Sequence, residues 1–292
     1  MIKFKINSCD GIYDSLDVRF TKACDNACEF CIERTGLDSL GNTNVKKMIE
    51  STLKTNKKDI LILGGEPLLV PELVLEYLKC IRSYVDTIYL TTSLPKTITT
   101  DEGNRIFLEI LSLLDGINIS VHHYKDSINN TVLKSSNPYN RIEFLEKMLE
   151  INEFAKKARI CCNLVNGFIS TKEEINNFVN KMHSIGARHI KLNELQHVDV
   201  DTYVSFEKVF GVKLKSPFAY GCQTDESQLF DNKIKITLKR SCFCNKDISI
   251  AKAGVSDLIK CIQKKFAPNN SCNNFQVLYE NGDVYNGWQK AN

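Results

Sequence analysis

Between residues 16 and 195 the chain alternates short apolar runs with amphipathic stretches, and this rhythm restricts the fold more than any other feature. The strand-like runs are 16–21, 59–63, 87–92, 116–121, 159–165 and 189–195. Between them, 45–54, 71–83, 103–114, 139–154 and 172–185 carry apolar residues at helical spacing. Each strand–helix step takes about 30 residues, the length of one unit of a parallel (β/α)8 barrel. Six such steps predict an α/β fold, a partial (β/α)6 parallel barrel with right-handed crossovers.

Beyond about Val198 the alternation stops. Short strands are expected at 234–239 and 274–279, with turns at Asn281-Gly282 and Asn286-Gly287. The expected organisation is a core over 1–197 and a small C-terminal extension of short strands and turns over 198–292, packed over the barrel. A hydrophobic fraction of 43% and a charged fraction of 25% are ordinary for a globular chain with a sizeable core. A net charge of +3, with lysines spread along the chain, argues against a nucleic-acid partner. No apolar run approaches the ~20 residues of a membrane span, and residues 1–10 lack a signal-like apolar region. A cytoplasmic location without membrane contact is expected.

The 12 cysteines are the compositional outlier. In a long chain of this kind they are metal ligands, catalytic thiols or small buried side chains more often than disulfides. Cys24, Cys28 and Cys31 sit in one loop after the first strand. Three thiolates from one loop suit three irons of a cubane cluster and leave the fourth iron without a protein ligand. A zinc ion with a further ligand, or one stripe of a helix, fits the same spacing. Gly64-Gly65-Glu66-Pro67 ends the second strand. The glycines permit a sharp turn and close approach, and Glu66 offers a carboxylate to an ammonium group. An ordinary strand-ending turn is the plain alternative.

Together the C-x3-C-x2-C triplet, Phe30 just before its third cysteine, and Gly-Gly-Glu-Pro one unit later resemble the radical S-adenosylmethionine (SAM) superfamily. The resemblance implies a [4Fe–4S] cluster on Cys24, Cys28 and Cys31, with SAM chelating the open iron. It implies Phe30 beside the adenine and Gly64, Gly65, Glu66 and Pro67 at the SAM amino group. One electron then cleaves the C5′–S bond, and the 5′-deoxyadenosyl radical abstracts a hydrogen from the substrate. An electron donor such as flavodoxin or ferredoxin is implied.

Further polar residues fall at strand ends, where parallel barrels place their sites. Thr92 and Ser93 are candidates for the methionyl group, and Ser120 and His122 for the ribose or carboxylate. Asn163, Asn193 and Glu194 are further cofactor-binding candidates. His122 is also a candidate acid or base near neutral pH. Some members of the superfamily carry auxiliary clusters in a C-terminal extension of the twitch or SPASM kind. Cys222, Cys242, Cys244 and Cys272 are candidate ligands for one auxiliary [4Fe–4S] cluster, although Cys242-x-Cys244 departs from the usual Cys-x2-Cys. Cys244 is alternatively a hydrogen-donating catalytic thiol. Cys9, Cys80, Cys161 and Cys162 are expected in the core. The expected function is radical SAM chemistry on a peptide or other small natural-product precursor. The alternatives are a nucleotide-modifying enzyme, GTP-cyclising or nucleoside-triphosphate-dehydrating, and a non-enzymatic iron–sulfur or zinc module.

Overall fold

The computed structural model describes residues 15–31, 33, 36, 38–195, 201–212, 223–230, 234–239 and 276–287. The strands and helices alternate as the sequence rhythm predicts. β1 (Ser15–Arg19) leads through the cysteine loop to α1 (Val45–Thr55). β2 (Asp59–Leu63), α2 (Pro71–Ile81), β3 (Thr87–Thr92), α3 (Asp101–Leu113) and β4 (Gly116–Ser120) follow. Next come α4 (Asp126–Leu133), α5 (Arg141–Leu149), α6 (Asn152–Lys157), β5 (Ala158–Leu164), α7 (Lys172–Ser184) and β6 (His189–Glu194). Local chemistry sets the helix starts. Thr171 and Glu174 form a reciprocal capping box on α7. Asn44 and Thr100 cap α1 and α3 through their side chains.

The expected single helix over 139–154 is two helices. Ile151 leaves the helical conformation (φ −76°, ψ 109°) and ends α5. The break turns the chain so that Phe154 packs edge-on against Phe107, with centroids 6.1 Å apart, just before β5. Helix α4 was not expected: its polar stretch Asn129-Asn130-Thr131 hides a short apolar face of Val132 and Leu133.

Past residue 197 come α8 (Phe206–Phe210), β7 (Gln223–Asp225), β8 (Lys235–Lys239), β9 (Gln276–Leu278) and β10 (Val284–Asn286). These strands join the core sheet. Its order is β10-β9-β1-β2-β3-β4-β5-β6-β8-β7. β9 pairs parallel with β1, and β8 pairs parallel with β6. β10 and β7 add antiparallel at the two edges, so the barrel stays open.

One sheet face carries Leu16, Val18, Ile60, Ile62, Ile88 and Leu90, nearly or fully buried in a core shared with the helices. Opposite positions are polar along most strands. Cys161 and Cys162 are buried as expected, whereas Cys80 is exposed, because it lies off the Val74–Tyr77–Leu78–Ile81 stripe of α2. Cys9 lies outside the described residues. No helix among the described residues is long and apolar enough to cross a membrane.

Candidate active site

The cysteine loop is gripped from both sides at the carboxyl end of the sheet. On one side, Gly65 N donates to Thr21 O (2.7 Å) and Glu66 N to Ala23 O (2.8 Å). On the other, Ala27 N donates to Leu133 O (2.9 Å) and Ser136 N to Asp25 O (2.8 Å), so the end of α4 and its following turn form the second jaw. The glycine pair is required by the first jaw. Gly64 has φ +126°, and a Cβ on Gly65 would stand 2.1 Å from Ala23 O and 2.5 Å from Lys22 O. What the glycines let approach is therefore the backbone of the cysteine loop.

Glu66 is 1% exposed and its carboxylate ties β2 to the end of β3. Oε1 accepts from Leu68 N (3.1 Å) and Thr92 Oγ1 (2.7 Å). Oε2 accepts from Ser93 N and Ser93 Oγ, both at 2.7 Å. Asn26 Nδ2 in turn donates to Ser93 Oγ at 2.8 Å. A hydrogen-bonded chain thus runs from the cysteine loop to Glu66. Burial raises the Glu66 pKa despite these donors. Pro67 opens the 3-10 turn that Glu66 caps. Leu94, next after Ser93, is held at φ +55°, a costly conformation for a side chain of this kind.

Desolvation by the surrounding loop pushes the Cys24 and Cys28 thiols up to about 12, although Cys24 keeps an exposed surface; Cys31 adds repulsion at both, and Cys24 adds it at Cys28. The thiols would shed protons on binding iron. Among the described residues no three His, Cys, Asp or Glu side chains gather closely enough for a single metal ion. Three thiols carried by one loop fit a cluster that takes one iron per thiolate.

His122 is 4% exposed. Its ring meets Phe30 edge-on, with centroids 5.1 Å apart. Its Nδ1 accepts from Asn163 N (3.1 Å), and its backbone N donates to Asn129 Oδ1 (2.8 Å). Burial, followed by the nearby Arg141 charge, lowers its pKa to about 4. Both causes disfavour the charged imidazole, which pulls against the expectation of an acid or base titrating near neutral pH. Asn193 Nδ2 donates to Asn163 Oδ1 at 3.1 Å, joining the ends of β5 and β6. Ser120 is half-buried at the end of β4. Glu194 stands apart, accepting from Phe206 N (3.0 Å) at the start of α8. Cys222, Cys242, Cys244 and Cys272 lie outside the described residues.

Arg141 was not foreseen. It is fully buried in the first turn of α5, where a cation opposes the helix dipole. Nε donates to Leu94 O (3.2 Å) and NH1 to Asn130 Oδ1 (2.8 Å), while NH2 is buried without a hydrogen-bond partner. Its field reaches Asp25, Cys28 and His122. An arginine on the apolar stripe shared with Leu145 and Met148 was the available signal. Asn26 Oδ1 and Ser135 Oγ are likewise buried and unpartnered. Three thiols, an anion, a cation with an open donor and unpaired polar atoms fit a cluster with a zwitterionic ligand beside it.

The sequence model of the radical SAM superfamily matches residues 18–182. No curated protein sequence matches the chain significantly. Among solved structures, Streptococcus suis SuiB is similar at 14% identity and a TM-score of 0.58, over 92% of this chain and 59% of that one. SuiB bound to S-adenosylmethionine gives 13% and 0.58, over 94% and 62%. A radical SAM methyltransferase from Sphaerobacter thermophilus gives 15% and 0.58, over 80% and 67%. The chain thus spans about three fifths of the length of SuiB, and at these identities the likeness is one of fold.

Proposed function

Because the chain belongs to the radical SAM superfamily, whose members carry a [4Fe–4S] cluster and bind SAM, we propose that it is an enzyme acting on a peptide or other small natural-product precursor. Cys24, Cys28 and Cys31 would hold the cluster. A cluster held there would supply the electron for reductive cleavage of bound SAM, and so the means to abstract a hydrogen from the substrate.

The observation that carries this reading is the pair of opposite charges beside the cysteine loop. Glu66 acts electrostatically on Cys24, and Arg141 on Cys28. An amino-acid zwitterion is complementary to that pair, its ammonium toward Glu66 and its carboxylate toward the open NH2 of Arg141. Thr92 and Ser93 hold the Glu66 carboxylate in place. Half-buried Phe30 and buried His122 offer a ring-lined surface suited to a nucleobase. We assign the radical core to residues 1–197 and a substrate-covering or auxiliary-cluster role to 198–292, with flavodoxin or ferredoxin as electron donor.

The test is anaerobic reconstitution of the wild type and a C24A/C28A/C31A variant with iron and sulfide. The wild type should take up about four irons more than the variant. It alone should form 5′-deoxyadenosine from SAM when reduced. A wild type with a full cluster that neither binds nor cleaves SAM would refute the proposal.

A further inference from the structure

The ends of β5 and β6 carry a pair of amide side chains at one level, since the register sets Asn163 opposite Asn193. Their chain neighbours Cys162, Leu164 and Leu192 lie in the core on the helix side, and Glu194 turns to α8. Alternation therefore turns Asn163 and Asn193 to the inner side of the sheet. Asn193 Nδ2 donates to Asn163 Oδ1 at 3.1 Å. That bond uses one end of each amide. Asn193 Oδ1 is left buried without a hydrogen-bond partner, and Asn163 Nδ2 has none among the described residues. Reversing both amides exchanges their roles and leaves the same remainder, one oxygen and one NH2 on neighbouring strands.

A buried polar atom left unpaired is costly and calls for a partner. The pair is also continuous with the active site. Asn163 N donates to His122 Nδ1 at 3.1 Å, and the His122 ring meets Phe30, the residue before Cys31. Neither amide carries a charge, so a zwitterion or a phosphate finds no counter-charge in them. The groups suited to the SAM zwitterion stand elsewhere, Glu66 at the β2 turn and Arg141 on α5. In the sheet order, β5 and β6 lie beyond β3 and β4 from that turn. What matches an acceptor beside a donor is another amide, which brings one N–H and one C=O. An extended peptide residue presents both groups on one side, the arrangement by which a strand residue bonds its antiparallel neighbour twice.

We propose that Asn163 and Asn193 bind the substrate rather than the cofactor, and that they read the main chain of a peptide. Asn193 Oδ1 accepts from a peptide N–H, and Asn163 Nδ2 donates to the C=O of the same residue. This deepens the proposed function and rests on it, since it selects the peptide among the substrates named there and gives it a seat.

The test is saturation-transfer difference NMR on the reconstituted full chain, saturated with SAM so that groups of the cofactor are not being read. The probes are acetyl-triglycine methyl ester, which is main chain alone, and its all-ester counterpart, which keeps the carbonyls and lacks every N–H. The peptide should bind saturably and about tenfold more tightly than the ester, the scale of one buried hydrogen bond. In N193L that preference should vanish. In K46Q, at an exposed position of α1, it should persist. If N193L does not fold, N163S at half-buried Asn163 carries the test. No saturable binding of the peptide, or a preference for the amide that the Asn variant retains, overturns the proposal. So does a loss of SAM affinity in N193L with peptide binding intact, which returns the pair to the cofactor. Asn193-dependent binding of guanosine triphosphate in place of the peptide overturns it in favour of a nucleotide. Deoxyadenosine formation is assayed on the same preparation. A wild type that makes deoxyadenosine but binds no peptide refutes the amide seat alone, and one that binds the peptide through Asn193 but never cleaves SAM refutes the radical reading alone.

Discussion

Each oxygen of the Glu66 carboxylate is held by two donors, so this side chain is a structural clasp as well as a charge. Unpartnered buried donors cost about 1–3 kcal/mol each. E66A should therefore lower stability by at least ~3 kcal/mol in urea unfolding. Iron uptake should survive, because the bonds from Gly65 N and Glu66 N to the loop are made by backbone. A urea midpoint near the wild-type value would show that Thr92 and Ser93 find other partners. His122 gives a pH signature. Its folded pKa, about 4, lies below the ordinary 6.5. Between those values the unfolded chain binds a proton that the folded chain refuses. The stability due to neutral His122 is fully present above pH 6.5 and lost as pH falls toward 4, roughly 3 kcal/mol in all. His189 is shifted in the same direction. Urea midpoints should fall from pH 7 to pH 4.5, and H122N should flatten part of that slope; an unchanged slope would remove His122 from the account.

At the scale of elements, the site is a loop held between two jaws, the β2 turn and the end of α4. The first jaw tolerates no side chain at Gly65, since its Cβ would overlap the Ala23 carbonyl. G65A should keep the secondary structure, read by circular dichroism, and lose most of its iron on reconstitution. Normal iron uptake would mean the loop can shift without losing its ligand geometry. The cysteines and the Gly-Gly-Glu-Pro turn were readable because each lies within a few contiguous residues. The second jaw was not, since α4 buries only Asn129, Val132 and Leu133 and its periodic signal is weak. Glu194 shows the same limit: its type suggested a site residue, and the face it occupies gives it to α8.

Across the whole molecule, the last described strands lock the first. Arg19 on β1 is fully buried and forks onto Glu280, with Nε to Oε2 at 2.9 Å and NH2 to Oε1 at 3.0 Å. Its guanidinium also lies 4.3 Å from the Tyr279 ring centroid. Glu280 Oε1 accepts from Leu40 N (2.8 Å), so the clamp reaches the segment that follows the cysteine loop. Arg19 NH1 also lies 3.6 Å from buried Glu33 Oε2, so removing Glu280 leaves the guanidinium a second carboxylate and costs less than the roughly 3–5 kcal/mol of a fully stranded charge. E280A should show a loss of about 1–3 kcal/mol in urea unfolding, and R19M/E33L/E280L, which removes all three charges, should recover much of it. If the triple variant is no more stable than E280A, the clamp acts through more than these three charges.

The sequence by itself determined the parallel strand–helix alternation, the cysteine triplet and its glycine-rich neighbour, because periodicity and short spacing are properties of adjacent residues. Only the tertiary structure decided which distant groups meet. Arg19 and Glu280 stand 261 positions apart. Arg141 reaches the cysteine loop from another helix, and Asn163 and Asn193 meet only because β5 and β6 pair in one register. Such meetings depend on register and burial, which are set when the sheet assembles and leave little trace in local sequence.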